Sequence, residues 1–299
     1  MHANFVRMTA VIAPPLITVS WLTGHLSDAT LRVIDIRSSG NSSENAFDTG
    51  HIPGAVHSDY AADGWRIAQG GAGGLLPDPA ALAHLLGRLG ITPENHVVIV
   101  SAGLTPADFS GAARVCWTLK IAGHDRVSIL DGGFEAWRLA GQPIETGPSA
   151  SPAGAPYPVR IKEVMRATVG DIDEAITHAT AALLDGRSRA QYEGHEKSPQ
   201  AARAGRLPGA VHLDHSQAFA PGTGRLRPAA ELEQLFGSLP SGPVVSYCNT
   251  GHLASTNWFV LSEVLGRTGI TLYDGSMSEW TQDPGRPVAT GAAEGGGDH

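Results

Sequence analysis

Two cysteines, Cys116 and Cys248, are the residues most able to do covalent chemistry, and their surroundings differ. Cys248 follows the apolar run Val244-Val245-Ser246-Tyr247 and opens the loop Cys248-Asn249-Thr250-Gly251-His252-Leu253. Beyond it, Ala254, Trp258, Leu261 and Leu265 fall at i, i+4, i+7 and i+11, one face of a helix. In a tight strand-to-helix loop, successive N–H groups can converge on one anion, and the helix N-terminus adds its positive dipole end. Both favour a thiolate over a thiol and so make the sulfur a nucleophile. Gly251 permits the backbone conformation that turns the N–H groups inward. The same cradle would hold a Cys–S–S⁻ persulfide, which suits a two-step group transfer. A buried structural cysteine is the plainer alternative, and the loop alone does not separate the two. Cys116 lies in the apolar stretch Ala112-Ala113-Arg114-Val115-Cys116-Trp117, where a core thiol is expected.

The chain that must position Cys248 is 299 residues long, enough for two ordinary cores. Its 42% hydrophobic and 17% charged content is that of an ordinary globular protein. With a net charge of -8 and scattered basic residues, nucleic acid is not expected as a partner. Two thiols do not make a disulfide framework and suit a reducing compartment. Residues 8–19 are apolar, but Pro14 and Pro15 interrupt them and no small-residue cleavage site follows. A cytoplasmic location is therefore expected over periplasmic export. No run approaches the ~20 apolar residues of a membrane span. The 13 histidines show no zinc-site spacing, so neither a metal nor another cofactor is expected.

The chain is written twice. Thr18-Val19-Ser20 to Asp35-Ile36-Arg37 returns 150 residues later as Thr168-Val169-Gly170 to Asp185-Gly186-Arg187. His51-Ile52-Pro53-Gly54-Ala55-Val56-His57 returns as Arg206-Leu207-Pro208-Gly209-Ala210-Val211-His212. Asp131-Gly132-Gly133 with Trp137 returns as Asp274-Gly275-Ser276 with Trp280. Four such matches in order, the last being Gln142–Gly147 against Arg286–Gly291, mark a duplicated domain. The expected boundaries are an N-terminal domain at 1–147, a Pro/Ala/Gly/Ser-rich linker at 148–158 and a C-terminal domain at 159–299. The Gly-rich end from Ala292 is expected to fray. In the second copy, short apolar runs at 182–184, 210–213, 244–247 and 270–273 alternate with helical patterns. Each copy is thus expected to be α/β, a mostly parallel sheet flanked by helices. Ligands of such sheets bind outside the carboxyl ends of the strands, where Cys248 stands.

The ordered set of Asp-x-Arg, [His/Arg]-[Ile/Leu]-Pro-Gly-Ala, a six-residue Cys-x-x-Gly-x-x loop and Asp-Gly-[Gly/Ser] followed by Trp resembles the rhodanese superfamily. The likeness runs from about Thr18 to Gly291 and is closest to the two-domain thiosulfate and 3-mercaptopyruvate sulfurtransferases. It implies two tandem rhodanese-like domains, the first inactive and the second bearing the catalytic cysteine. The implied activity moves sulfane sulfur from a small anionic donor through a Cys248 persulfide to cyanide, a thiol or an acceptor protein. The implied anion cradle is Asn249, Thr250, Gly251, His252 and Leu253. Arg187 could reach in from a neighbouring strand end, although Arg37 at the equivalent place favours a structural ion pair. In the first copy Ser101 stands where Cys248 stands in the second, and a serine with no adjacent base cannot carry sulfur. That copy is read as structural, with a role in closing the site at the domain interface.

The pattern departs from the family at two points. Thiosulfate enzymes often carry cations at the second and third loop positions, whereas Asn249 and Thr250 are neutral; Thr250 is similar to the serine of mercaptopyruvate enzymes. Gln191, before Tyr192, stands where many relatives carry an arginine that contacts the substrate anion. His252, Lys197 and Arg203 are alternative sources of charge. Two other function classes compete. A cysteine phosphatase needs an arginine six residues after the cysteine, and that position is Ala254. A non-catalytic sulfur-delivery or scaffold module remains open on the sequence.

Overall fold

A computed structural model describes residues 13–39, 46–148 and 154–292. Residues 149–153 of the expected linker, the expected frayed end after Ala292 and residues 8–12 of the apolar N-terminal stretch lie outside them. Along the first copy run β1 (Leu16–Ile17), α1 (Val19–His25), β2 (Leu31–Asp35), β3 (Val56–His57), β4 (Ile67–Gln69), β5 (Ala72–Leu75), α2 (Pro79–Arg88), β6 (His96–Val100), α3 (Pro106–Ile121), β7 (Val127–Leu130) and α4 (Gly133–Leu139). Along the second run α5 (Val169–His178), β8 (Ala182–Asp185), α6 (Arg189–Glu193), β9 (Val211–His212), α7 (Ala229–Phe236), β10 (Val244–Tyr247), α8 (Ala254–Phe259), β11 (Ile270–Leu272) and α9 (Ser276–Trp280).

The first sheet has the order β1-β7-β6-β2-β3 and the second β11-β10-β8-β9, with every neighbouring pair parallel. Where β1 would recur, Arg166 makes an isolated parallel bridge to Leu272. The two sheets therefore repeat one topology, and the central strands are runs of Val, Ile and Leu because both faces are covered. Thr18 and Thr168 begin α1 and α5 by accepting the backbone N–H three residues on, and Asp171 returns the bond to form a capping box.

The structure differs from the sequence reading in two details. The run 210–213 contributes only Val211–His212 to the sheet. The helix expected through Leu265 ends as α at Phe259 and widens into a π turn, Val260–Val264, closed by Leu265 N–H to the Val260 carbonyl at 2.9 Å. Glu263 on that turn meets Lys120 of α3 at 2.6 Å.

That pair belongs to a contact between α3 and α8 that joins the two copies. Twelve of the sixteen α3 residues are buried, as an all-round apolar helix requires. Phe109 meets Phe219 and Phe259 edge-on, both at 5.5 Å, and Ser110 shares a 2.8 Å hydrogen bond with Thr256. One apolar core runs from Val97 and Ile99 of the first sheet to Val244 and Leu272 of the second. Cys116 sits inside it, fully buried, and burial pushes its thiol pKa up, which makes it inert.

Two hairpins cross this interface in opposite directions. β4 and β5 form an antiparallel hairpin that reaches the second copy. Gly73 N–H donates to Ser278 Oγ at 3.2 Å, and Leu76 N–H donates to Asp274 Oδ2 at 2.6 Å. In return, a turn closed by the Phe219–Leu226 bridge places Leu226 N–H 3.3 Å from Asp131 Oδ1. The hairpin in the first copy comes so close to the Cys248 loop that a Cβ on Gly74 would collide with the Thr250 carbonyl. Among the described residues no helix is long and apolar enough to cross a membrane.

Gly74 has φ +85°, so Gly74→Ala adds a left-handed penalty to that collision. Its expected cost is about 2 kcal/mol or more, lowering Tm by roughly 4–8 °C. Gly70→Ala, at φ +60° but facing open space, should cost only about 1 kcal/mol. Thermal unfolding of the two variants side by side checks this; equal losses would mean that the hairpin does not press on the loop.

Candidate functional site

Cys248 is 1% exposed and follows β10 directly. Its loop is held from below by Ser276. The N–H groups of Cys248 and Gly251 both donate to Ser276 Oγ at 3.1 Å, and that hydroxyl donates to the Tyr273 carbonyl at 2.7 Å. The Cys248 and Asn249 carbonyls accept from the first N–H groups of α9, Met277 at 3.2 Å and Ser278 at 2.9 Å. The first copy has the same frame: Phe134 N–H to Ser101 O at 2.8 Å and Glu135 N–H to Ala102 O at 3.0 Å. Gly133, at φ +54°, takes the place of Ser276, at φ +49°. A serine in left-handed backbone costs about 1–2 kcal/mol. It stands only in the copy with the cysteine, where its hydroxyl satisfies two loop donors. The Gly-to-Ser difference between the repeats was visible in the sequence, but its role was not.

With Cys248 and Gly251 spoken for, the N–H groups of Asn249, Thr250, His252 and Leu253 find no protein acceptor among the described residues. Two of the six N–H groups of the loop thus go to the serine. Gly251 has φ +67°, and a Cβ there would lie 2.7 Å from Arg114 Nη1 of α3. Arg114 is fully buried, donates to the Gly74 carbonyl at 2.7 Å and lies 3.8 Å from Asp274 Oδ2. Its Nε and Nη1 have no hydrogen-bond partner among the described residues. Burial draws its pKa down, opposed by Asp274, yet a guanidinium remains a cation. The first copy therefore supplies a positive charge under the loop of the second.

The other residues singled out in the sequence are placed as follows. Asn249 donates to Gln191 Oε1 at 2.8 Å, which ties the loop to α6. Thr250 lies under the hairpin, 5% exposed, and Leu253 leads into α8. Arg187 is buried and grips Asp185 through Nε at 2.9 Å and Nη2 at 2.6 Å, the latter also reaching the Gly205 carbonyl. Burial works against its charge, but the Asp185 bonds outweigh that and its pKa rises. Arg37 makes the same contacts with Asp35 and the Gly50 carbonyl. Arg187 approaches the loop only through Nη1, 3.5 Å from Asn249 Oδ1. Lys197 and Arg203 are committed to backbone carbonyls, Ala201 and the pair Asp283 and Arg286 respectively.

His252 is not a source of charge. Tyr60 of the first copy shares a 2.9 Å hydrogen bond with its Nδ1. Burial, then repulsion from Arg66, His215 and Arg114, lowers its pKa to about 3. Tyr60, Arg66 and Arg114 were beyond reach of the sequence, since 192 residues separate Tyr60 from His252. Among the described residues no group of three or more His, Cys, Asp or Glu is arranged to hold a metal.

The rhodanese-like domain family matches residues 18–140 and 168–283. The chain is 32% identical over 300 residues to a thiosulfate sulfurtransferase of Corynebacterium glutamicum, across 92% of this chain and 90% of that protein. It is equally 32% identical over 297 residues to the sulfur carrier protein TtuD of Thermus thermophilus, across 92% of this chain and 96% of that protein. Among solved structures, SseA of Escherichia coli, described as a 3-mercaptopyruvate sulfotransferase, superposes with a TM-score of 0.76 at 25% identity. That superposition covers 88% of this chain and 99% of SseA.

The lowered pKa of His252 has a consequence for stability. The unfolded chain binds a proton near pH 6.5 that the folded chain refuses until about pH 3. The stability it contributes is complete above pH 6.5 and is lost as pH falls towards 3. Tm should therefore drop between pH 7 and pH 4.5, and less steeply in His252→Gln, with His96 (pKa about 4) adding a separate share. The thiosulfate KM should show no histidine inflection over the same range. An inflection abolished by His252→Gln would mean that this ring is charged in the site.

Proposed function

The chain belongs to the rhodanese family, and from that premise we propose that it is a sulfurtransferase that carries sulfane sulfur as a persulfide on Cys248. One observation supports this reading most: the single thiol of the second sheet's carboxyl edge stands in a loop whose four remaining N–H groups are unclaimed, over a buried arginine. Backbone N–H donors without an acceptor and a buried cation close to a thiol are the surroundings in which sulfur anions are stabilised. In the donor step the Cys248 thiolate attacks the outer sulfur of thiosulfate; the S–S bond breaks and sulfite leaves with its electron pair. With 3-mercaptopyruvate the C–S bond breaks instead, and the carbon takes the thiol proton to give pyruvate. In either case Cys–S–S⁻ remains. Attack by cyanide or a thiol on its outer sulfur then returns the Cys248 thiolate. All charges balance without a metal or organic cofactor.

The domain division at 1–147, 148–158 and 159–299 follows from the same reading, with the first copy as scaffold and the second as carrier. Ser101 offers no sulfur for the transfer and Cys116 is sealed in the core. Free rather than paired cysteines suit a reducing cytoplasmic setting. The likeness to a sulfur carrier protein favours a second reading in which the physiological acceptor is a protein thiol rather than a small molecule. Comparing turnover with dithiothreitol, cyanide and a cysteine-bearing acceptor protein separates the two.

Wild-type protein treated with thiosulfate or 3-mercaptopyruvate should gain one sulfur by intact mass and lose it to cyanide. Cys248→Ser should gain none and show no turnover, whereas Ser101→Ala and Cys116→Ser should stay close to wild type. Turnover that survives in Cys248→Ser would overturn the reading.

A further inference from the structure

The donors named above are anions, yet the loop beside Cys248 offers no side-chain cation to meet them. Asn249 and Thr250 are neutral, and burial keeps His252, beside Tyr60, uncharged. Arg187 is consumed by Asp185 and Gly205, and Arg166 by Asp274 at 2.9 Å. Arg114 is sealed beneath Gly251 with its Nη2 on the Gly74 carbonyl, where it supports the loop but cannot receive a ligand from solvent.

Arg66 is different. It is half-buried, and its guanidinium makes no hydrogen bond or ion pair among the described residues. It stacks on the Tyr60 ring, 4.5 Å from the centroid, and the Tyr60 hydroxyl touches His252 of the catalytic loop. A guanidinium stacked by its face keeps its N–H edge free, and that edge fits a carboxylate or sulfonate bidentately. Its backbone is fixed on both sides. Trp65 before it is fully buried with Nε1 on Ser58 Oγ at 2.9 Å, and Ile67 after it begins β4. Through Tyr60 the guanidinium is thus one side chain removed from His252, four residues after Cys248.

We propose that Arg66, carried by the sulfur-free first copy, binds the anionic end of the sulfur donor and so determines donor specificity at Cys248. This rests on the sulfurtransferase reading above. It gives the first copy a substrate-binding role beyond scaffolding, and it accounts for a loop that dispenses with cations of its own. The site is complete only when both copies are docked.

The two half-reactions isolate this role. Persulfide formation is followed against thiosulfate and 3-mercaptopyruvate concentration, and discharge of preloaded persulfide against the uncharged acceptor dithiothreitol. Arg66→Gln should raise the donor KM about 10- to 100-fold, the loss of one charge-assisted contact, while discharge stays at the wild-type rate. Arg66→Lys, which keeps the charge but not the fork, should recover part of the donor affinity and control for folding. If wild type loads sulfur and the donor KM is unchanged in Arg66→Gln, the inference is wrong and the sulfurtransferase reading stands. Parallel loss in both half-reactions without rescue by lysine overturns it too, since it would mark a structural residue. A wild type that loads no sulfur from either donor overturns the functional reading and the inference together.

Discussion

A carboxylate that is 1% exposed, Asp274, holds the two halves of this protein in register. Its Oδ2 accepts the Leu76 N–H at 2.6 Å and faces Arg114 at 3.8 Å, while Oδ1 takes Arg166 Nε at 2.9 Å. Two of these partners come from the first copy and one from the segment that enters the second. A buried charge persists only when paired, and removing one partner of such a group typically costs about 3–5 kcal/mol. The requirement fixes the hairpin over the loop, since Leu76 closes β5 and Gly74 lies two residues before it against Thr250. It also holds Arg114 between the hairpin and Gly251. One interaction thereby sets the roof of the site, its buried cation and the docking of the domains.

The duplication explains how this is assembled from ordinary parts. Both copies carry a strand, a loop and a helix N-terminus that caps the loop carbonyls, and both receive a hairpin from the other. Asp131, the counterpart of Asp274, is more exposed and meets Arg225 only at 3.9 Å. Burial raises its pKa, against the Leu226 N–H and Arg225, so the first interface gains less from its charge. The copies then diverge at few positions. Ser276 replaces Gly133, Cys248 replaces Ser101, and the stretch from Ser101 to Trp117 is longer, which gives α3 the length to reach across to α8. In the proposed function, that divergence makes one half the sulfur carrier and the other the wall of its site.

Much of this was legible in the residues. The repeat motifs foretold two parallel α/β sheets, and the run Val244–Tyr247 is β10 to the residue, which put Cys248 at the carboxyl edge of its sheet. The matched Arg37 and Arg187 foretold a structural pairing, and both are found gripping the aspartate two residues before them. What stayed hidden depends on distance along the chain. Tyr60 and Arg114 meet the loop, and Arg66 meets Tyr60, only because the first copy crosses the interface, and no local period encodes that. The charge of His252 was equally hidden, since it follows from burial and not from the loop's sequence. The widening of α8 into a π turn left no signal that propensity would reveal.

In the function proposed here, sulfur transfer is a property of the interface between the copies, with the thiol given by one and the surrounding field by the other. Amide hydrogen exchange in wild type and Asp274→Asn tests that claim most directly, because the substitution keeps the shape and removes the charge. The account predicts that the amides of Leu76, Cys248 and Gly251 lose protection together in the variant, while those of β6, Val97 to Val100, keep theirs. If Cys248 and Gly251 remain as protected as in wild type while Leu76 opens, the loop is rigid on its own and the interface does not build the site.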